Sequence, residues 1–128
     1  MLLVSAALIR DPRTGRVLIA RRSSRGSGAG KWEFPGGKAE PGEGLSECLV
    51  REIDEELGVE IEVVDLLGAV EYTYPGSKAL RLHLFEAGIV RGEPEALEHD
   101  ELRWVDVAEL PRYDLSAADR RMVESCSI

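Results

Sequence analysis

Gly37-Lys-Ala-Glu-Pro-Gly-Glu43-Gly-Leu-Ser-Glu-Cys-Leu-Val-Arg51-Glu52-Ile53-Asp-Glu55-Glu56-Leu-Gly58-Val59 is the stretch on which the reading of this chain turns. A glycine-rich loop leads into a segment with helical periodicity, expected to run from about Gly44 to Leu57, with Gly58 as its C-terminal cap. At about 100° per residue, Leu45, Leu49, Val50, Ile53 and Leu57 form one apolar arc. Glu56 projects between the directions of Leu45 and Leu49, and Glu52 lies beside them. Glu47 and Asp54 point away from the arc and read as a solvated face. Glu52, Glu55 and Glu56 crowd into little more than one turn, and like charges at that spacing destabilise a helix. A divalent cation is the natural counterweight. Hard cations such as magnesium take oxygen ligands and usually arrive with substrate phosphates.

The same stretch resembles the Nudix signature at every defined position. That signature is Gly, five residues, Glu, seven residues, Arg-Glu, an aliphatic, any residue, Glu-Glu, any residue, Gly and an aliphatic. The matching positions are Gly37, Glu43, Arg51, Glu52, Ile53, Glu55, Glu56, Gly58 and Val59. The resemblance implies the Nudix fold, an α/β fold in which a mixed curved β-sheet lies between α-helices and the signature forms a loop–helix–loop. It also implies hydrolysis of a phosphoric anhydride with Mg2+, for which Mn2+ is a possible substitute. Such metals neutralise phosphate charge and acidify bound water, and a carboxylate takes the proton. By this resemblance Glu52, Glu55 and Glu56 are metal ligands and catalytic carboxylates, and the backbone carbonyl of Gly36 adds a ligand. Gly36 and Gly37 also read as a simple turn after Pro35. Glu43 and Arg51 are expected to pair and tie the loop to the helix, as in similar proteins; Arg51 could instead reach Glu47 or Glu55. Gly37, Glu43, Arg51 and Gly58 are therefore read as structural.

Within the family, the resemblance is to MutT-type nucleoside triphosphate pyrophosphohydrolases, and it spans essentially the whole chain. It rests on Leu18-Ile-Ala-Arg21-Arg22, Lys31-Trp-Glu-Phe-Pro-Gly-Gly-Lys38, Glu71-Tyr72-Thr-Tyr74-Pro75 and Gly92-Glu-Pro94. It implies that Arg22 and Lys38 contact substrate phosphates. Glu98-His99-Asp100-Glu101-Leu-Arg-Trp104 resembles the segment that supplies a further metal-binding or base-like carboxylate, with Glu98 the first choice and Glu101 the second. Leu115-Ser-Ala-Ala-Asp119 departs from MutT and is similar to bacterial cytidine triphosphate pyrophosphohydrolases. Asp119 then stands where MutT-like proteins place a base-reading asparagine. An ionised aspartate offers only acceptors, which suits the exocyclic amino group of cytosine. Alternatively, Asp119 is an exposed first-turn residue favoured by the helix dipole. The expected function is cleavage of a (d)NTP to (d)NMP and pyrophosphate, serving nucleotide-pool sanitation on 8-oxo-dGTP or cytosine nucleotides. The alternatives are an ADP-ribose or dinucleoside polyphosphate hydrolase, or a non-catalytic nucleotide-sensing Nudix domain. Sensing domains usually lose signature carboxylates, and this chain keeps them all.

The 128 residues suit a single domain spanning 1–128. No apolar run approaches membrane-spanning length, and the apolar N-terminus lacks a basic leader and reads as a strand. Two cysteines, Cys48 and Cys126, do not suggest a disulfide framework, and a cytoplasmic protein is expected. Residues 1–38 carry eight Lys/Arg against two acids, a net +6, while residues 39–128 carry eight against 22, a net −14. That balance argues against stable nucleic-acid binding, which needs a broad basic surface. The expected partner is a small-molecule nucleotide, with no membrane and a monomer or homodimer. Along the chain, 2–10 and 17–22 are expected to form a hairpin across the Pro12–Gly15 turn, followed by a flexible Ser/Gly/Arg loop at 23–30. Segments 60–74 and 79–90 read as strands joined at Pro75-Gly76-Ser77, and 92–99 as an acidic loop. A short strand at 102–105, a helical turn at 107–110 and a last helix at 117–125 capped by Ser116 complete the expectation.

Overall fold

Residues 5–9 and 17–20 are buried throughout, so neither segment can be one arm of a surface hairpin with a wet face. The computed structural model describes residues 1–26, 28–126 and 128; Ser27, inside the expected 23–30 loop, lies outside the described residues. Along the chain come β1 (Leu2–Ile9), β2 (Val17–Arg21), β3 (Trp32–Glu33), β4 (Gly36–Lys38), helix α1 (Leu45–Leu57), β5 (Glu60–Thr73), β6 (Ala79–Arg91), β7 (Glu101–Val105), a 3₁₀ helix (Val107–Arg112) and helix α2 (Ala117–Ser125). The strands divide over a four-stranded sheet, ordered β4-β1-β6-β5, and a three-stranded sheet, ordered β3-β2-β7. The first is mixed, because β1 runs parallel to β6 and antiparallel to β4. The mixed α/β class is the one expected.

The expected hairpin of 2–10 with 17–22 does not form. Its turn is present, with the Asp11 N–H donating to the Arg16 carbonyl at 2.8 Å. Beyond a single Arg10–Val17 bridge, however, the two strands enter different sheets. The reason is burial on both sides. Ala6, Leu8, Val17 and Ile19 join one core with Ala118 and Met122 of α2. Ala7, Ile9 and Leu18 join another with Leu49, Ile53 and Leu57 of α1. An isolated two-stranded ribbon could not cover both faces.

The 60–74 and 79–90 strands do pair as β5 and β6, through a turn in which the Ser77 N–H reaches the Tyr74 carbonyl at 3.0 Å. Helix α1 falls where its periodicity placed it, and Gly58 closes it in the left-handed region (φ 69°) with its N–H on the Asp54 carbonyl. Val50 is 37% exposed and lies outside the buried stripe, at the margin of the expected arc. Ser116 precedes α2 as expected, but its side chain makes no capping hydrogen bond.

Two features aim the fold at one spot. Between β3 and β4 the chain crosses from one sheet to the other through Phe34 and Pro35, with the Pro35 carbonyl accepting from the Ala7 N–H at 2.8 Å. The last carbonyls of α1 have no partner within the helix. The 92–100 loop satisfies two of them, the Glu95 N–H bonding the Leu57 carbonyl and the Leu97 N–H the Glu56 carbonyl, at 3.0 and 3.2 Å. That docking carries Glu98 and His99 against the end of α1.

Candidate active site

Glycine is required where the loop enters the site. A Cβ on Gly36 would lie 2.0 Å from the Ser5 carbonyl oxygen, and one on Gly37 would lie 2.3 Å from the carboxyl carbon of Glu52. The Glu52 carboxylate can therefore rest directly on the loop backbone. The site faces a small pocket of about 220 Å³ lined by Arg22, Ser23, Arg25, Glu33, Gly36, Glu56, Glu98 and His99.

Glu56 is the most unusual group in that pocket. It is only 5% exposed, and its Oε1 is buried without a hydrogen-bond partner. Burial pushes its carboxyl well above the ordinary range, helped by a hydrogen bond with Glu52 and by the charges of Glu33, Glu52 and Glu98. A buried ligand atom without a partner, surrounded by like charges, is the environment a divalent cation stabilises. The donor set thus fits such an ion. Among the described residues, no three Asp, Glu, His or Cys side chains are already gathered in ligating geometry. Gly36, Glu56 and Glu98 line the same pocket, and Glu52 adjoins Glu56. Glu55 is half exposed and turns towards Arg51 at 3.4 Å. Glu101 sits on β7, paired with Arg21 at 3.5 Å and Arg103 at 2.6 Å.

Arg51 has several partners. Its guanidinium grips Glu43 at 2.8 and 2.9 Å and also reaches Glu52 at 3.0 Å and Glu55 at 3.4 Å, so the expected pairings with Glu43 and Glu55 coexist. Its hydrogen bonds hold the Glu43 carboxyl down to about 2.

Next to the acidic pocket lies a cleft of about 770 Å³, and Arg22, Glu33 and Gly36 border both. The cleft has apolar walls from Leu2, Val4, Phe34, Leu80 and Leu82, with Lys38 at its exposed rim and Asp119 in its wall. Asp119 is buried, which overturns the exposed first-turn reading. Its Oδ1 accepts the Phe34 N–H at 3.0 Å, and burial, with the charge of Glu33, pushes its carboxyl up to about 7. The Tyr74 hydroxyl accepts the Ala118 N–H at 3.0 Å and pins the start of α2 to the end of β5.

Sequence reasoning named no role for Glu33 or His99. Glu33 joins Arg22 at 2.9 Å and His99 at 3.0 Å. A carboxylate between Trp32 and Phe34, both buried, was the available signal.

The NUDIX domain family profile matches residues 1–126. This chain belongs to the NUDIX family. It is 37% identical over 125 residues to the CTP pyrophosphohydrolase of Escherichia coli (strain K12), covering 98% of this chain and 90% of that protein. It is 30% identical over 120 residues to the 8-oxo-dGTP diphosphatase of the same organism, covering 94% and 92%. Among solved structures, the MutT protein from Methanosarcina mazei Go1 superposes with a TM-score of 0.85 at 34% identity, covering 96% of this chain and 90% of that one. The chain is a MutT-like Nudix hydrolase, and the fold implied by its signature is the fold of these neighbours.

Proposed function

We propose that this Nudix hydrolase cleaves nucleoside triphosphates to the monophosphate and pyrophosphate, with Mg2+ held by Glu52, Glu55, Glu56, Glu98 and the Gly36 carbonyl, in nucleotide-pool sanitation. One observation carries the reading: an acidic pocket with an unpartnered buried carboxylate oxygen opens onto a nucleotide-sized cleft through shared walls. The relatives named for CTP and 8-oxo-dGTP hydrolysis support the same substrate class. When bound, the cation supplies charge neutralisation and a more acidic water. Arg22 and Lys38 lie along the cleft wall, where phosphates would run from the base subsite to the acidic pocket. Glu98, exposed at the pocket, would take the proton from water. For Glu55 the proposal requires its carboxylate to leave Arg51, on which it now rests at 3.4 Å.

Asp119 is our choice for the residue that reads the base. Ionised, it accepts from the amino group of cytosine; protonated, it donates to a purine carbonyl. With its carboxyl near 7, both forms exist around neutral pH. Cytosine nucleotides are expected to be handled at least as well as 8-oxo-dGTP.

The test is a Mg2+-dependent panel of CTP, dCTP, GTP, 8-oxo-dGTP, ADP-ribose and dinucleoside polyphosphates, with products identified, run on the wild type and Asp119→Ala. Monophosphate and pyrophosphate are expected as products, with a changed ranking of bases in the variant. Nucleoside diphosphate plus inorganic phosphate would contradict the cleavage site. An unchanged ranking would remove Asp119 from base reading.

A further inference from the structure

His99 is nearly enclosed, its side chain 7% exposed, and it stands between two carboxylates of the acidic pocket. Nε2 lies 3.0 Å from Glu33 Oε2 and 3.7 Å from Glu56 Oε1. The first distance is a hydrogen bond and the second is not. A carboxylate can only accept, so in the neutral ring Nε2 carries the proton. The other oxygen of Glu33 accepts from Arg22 Nη1 at 2.9 Å. Both oxygens of Glu33 are thus engaged by donors, whereas Oε1 of Glu56 has none. Beside Glu98, a cation entering the pocket would meet Glu33 and Glu56 side by side, and these two differ in their hydrogen bonds.

We propose that His99 is a positioning residue that holds Glu33 on Arg22 and out of the cation's coordination, so that Glu56 becomes the ligand. The inference rests on the cation-dependent reading above and adds a selection between two adjacent carboxylates. Without the Nε2–H, Glu33 Oε2 is free to compete for the ion. Glu33 would then be able to turn from Arg22 towards a bound cation. The fault lies in where the cation sits, not in how tightly it binds.

The experiment uses Mn2+ as the probe and reads its binding separately from turnover. In His99→Phe, kcat is expected to fall by about tenfold or more, while Mn2+ affinity is retained or raised. His99→Gln, whose amide can donate to the same oxygen, should recover most of the loss. Glu33→Gln added to His99→Phe should also recover activity, because the competing charge is gone while an acceptor remains for Arg22. A loss of Mn2+ affinity as large as the loss of kcat would overturn the proposal. So would failure of either rescue. If His99→Phe does not fold, the wild type still decides through its imidazole 15N shifts at alkaline pH. A proton on Nε2 is expected, and a neutral ring protonated on Nδ1 would overturn the proposal. Absence of Mn2+ binding to the wild type would sink the cation-dependent reading as well. Binding with failed rescue would sink the His99 inference alone.

Discussion

Helix α1 carries two clusters of charge that solve the same problem in opposite ways. At Arg51, carboxylates from Glu43, Glu52 and Glu55 surround one guanidinium, and the Glu43 carboxyl is drawn down to about 2. Five residues on, Glu56 is buried among Glu33, Glu52 and Glu98, and its carboxyl is driven upward. The first cluster is built round a cation of the chain itself. In the second, Glu56 Oε1 has no hydrogen-bond partner, and it borders the acidic pocket. An acidic run in sequence thus separates into a part that fastens the loop and a part left for the proposed cation.

The strongest way to break this comparison is to neutralise the second cluster. Glu56→Gln and Glu52→Gln should each lower kcat by about a hundredfold or more, since losing a metal ligand removes several kcal/mol of transition-state stabilisation. Metal-free Glu56→Gln should melt no lower than the wild type at neutral pH, because a buried carboxyl with crowding charges has been replaced by a neutral isostere. Mg2+ should raise the melting temperature of the wild type more than that of the variant. Near-normal turnover in both variants would end the assignment of the helix as the cation site.

A second, smaller effect is expected along the cleft. Arg22→Ala and Lys38→Ala should raise KM for triphosphates by about tenfold, the range of one charge-assisted hydrogen bond. Pyrophosphate should inhibit both variants less strongly. Unchanged KM and unchanged inhibition would remove these residues from the phosphate path.

What the sequence disclosed and what it withheld follow the range of the interactions. The span of α1, its Gly58 cap and the β5–β6 turn depend on neighbours a few residues away, and they are where the periodicity and turn residues put them. The parting of β1 from β2 depends on two separate cores, and a local turn signal cannot report that competition. Val50 stood at the edge of the apolar arc, where a wheel cannot say how far the core extends. The signature carboxylates were legible because they crowd one turn. Glu33 and His99 were not, because the two are 66 residues apart and meet only after the 92–100 loop docks on the end of α1. Asp119 was legible as a position; its burial was not, because that depends on Phe34 and the cleft wall.

The Arg51 cluster gives a third prediction. Arg51→Ala leaves Glu43, Glu52 and Glu55 without their shared cation, so its melting temperature should fall at neutral pH and recover partly in high salt. The sign with pH follows from Glu43, whose folded carboxyl is depressed to about 2 from 4.5. The stabilisation is present above the unfolded value and is lost as pH falls towards the folded one. The gap between wild type and Arg51→Ala should therefore narrow between about pH 4.5 and 2. A gap independent of pH would mean that Arg51 acts by packing alone.

Asp119 supplies the gentlest test, and its sign is the reverse. Its carboxyl rises to about 7 from 3.8, through burial first and the charge of Glu33 second, against the opposing hydrogen bond from the Phe34 N–H. Between those values the folded chain binds a proton that the unfolded chain has released. Stability contributed by this group is therefore full at low pH and is lost as pH rises through the interval. Asp119→Asn keeps an oxygen for the Phe34 N–H and removes the ionisation. The variant should gain on the wild type as pH rises from about 4 to 7, by roughly 5 °C in melting temperature for a change of about 1–2 kcal/mol. Base ranking in the same variant should lose its pH dependence, since the amide offers a donor and an acceptor at every pH. If the two melting curves run parallel across that range, Asp119 is already ionised in the folded chain. It would then meet the base as an acceptor only, like the carboxylates around Arg51 and unlike Glu56.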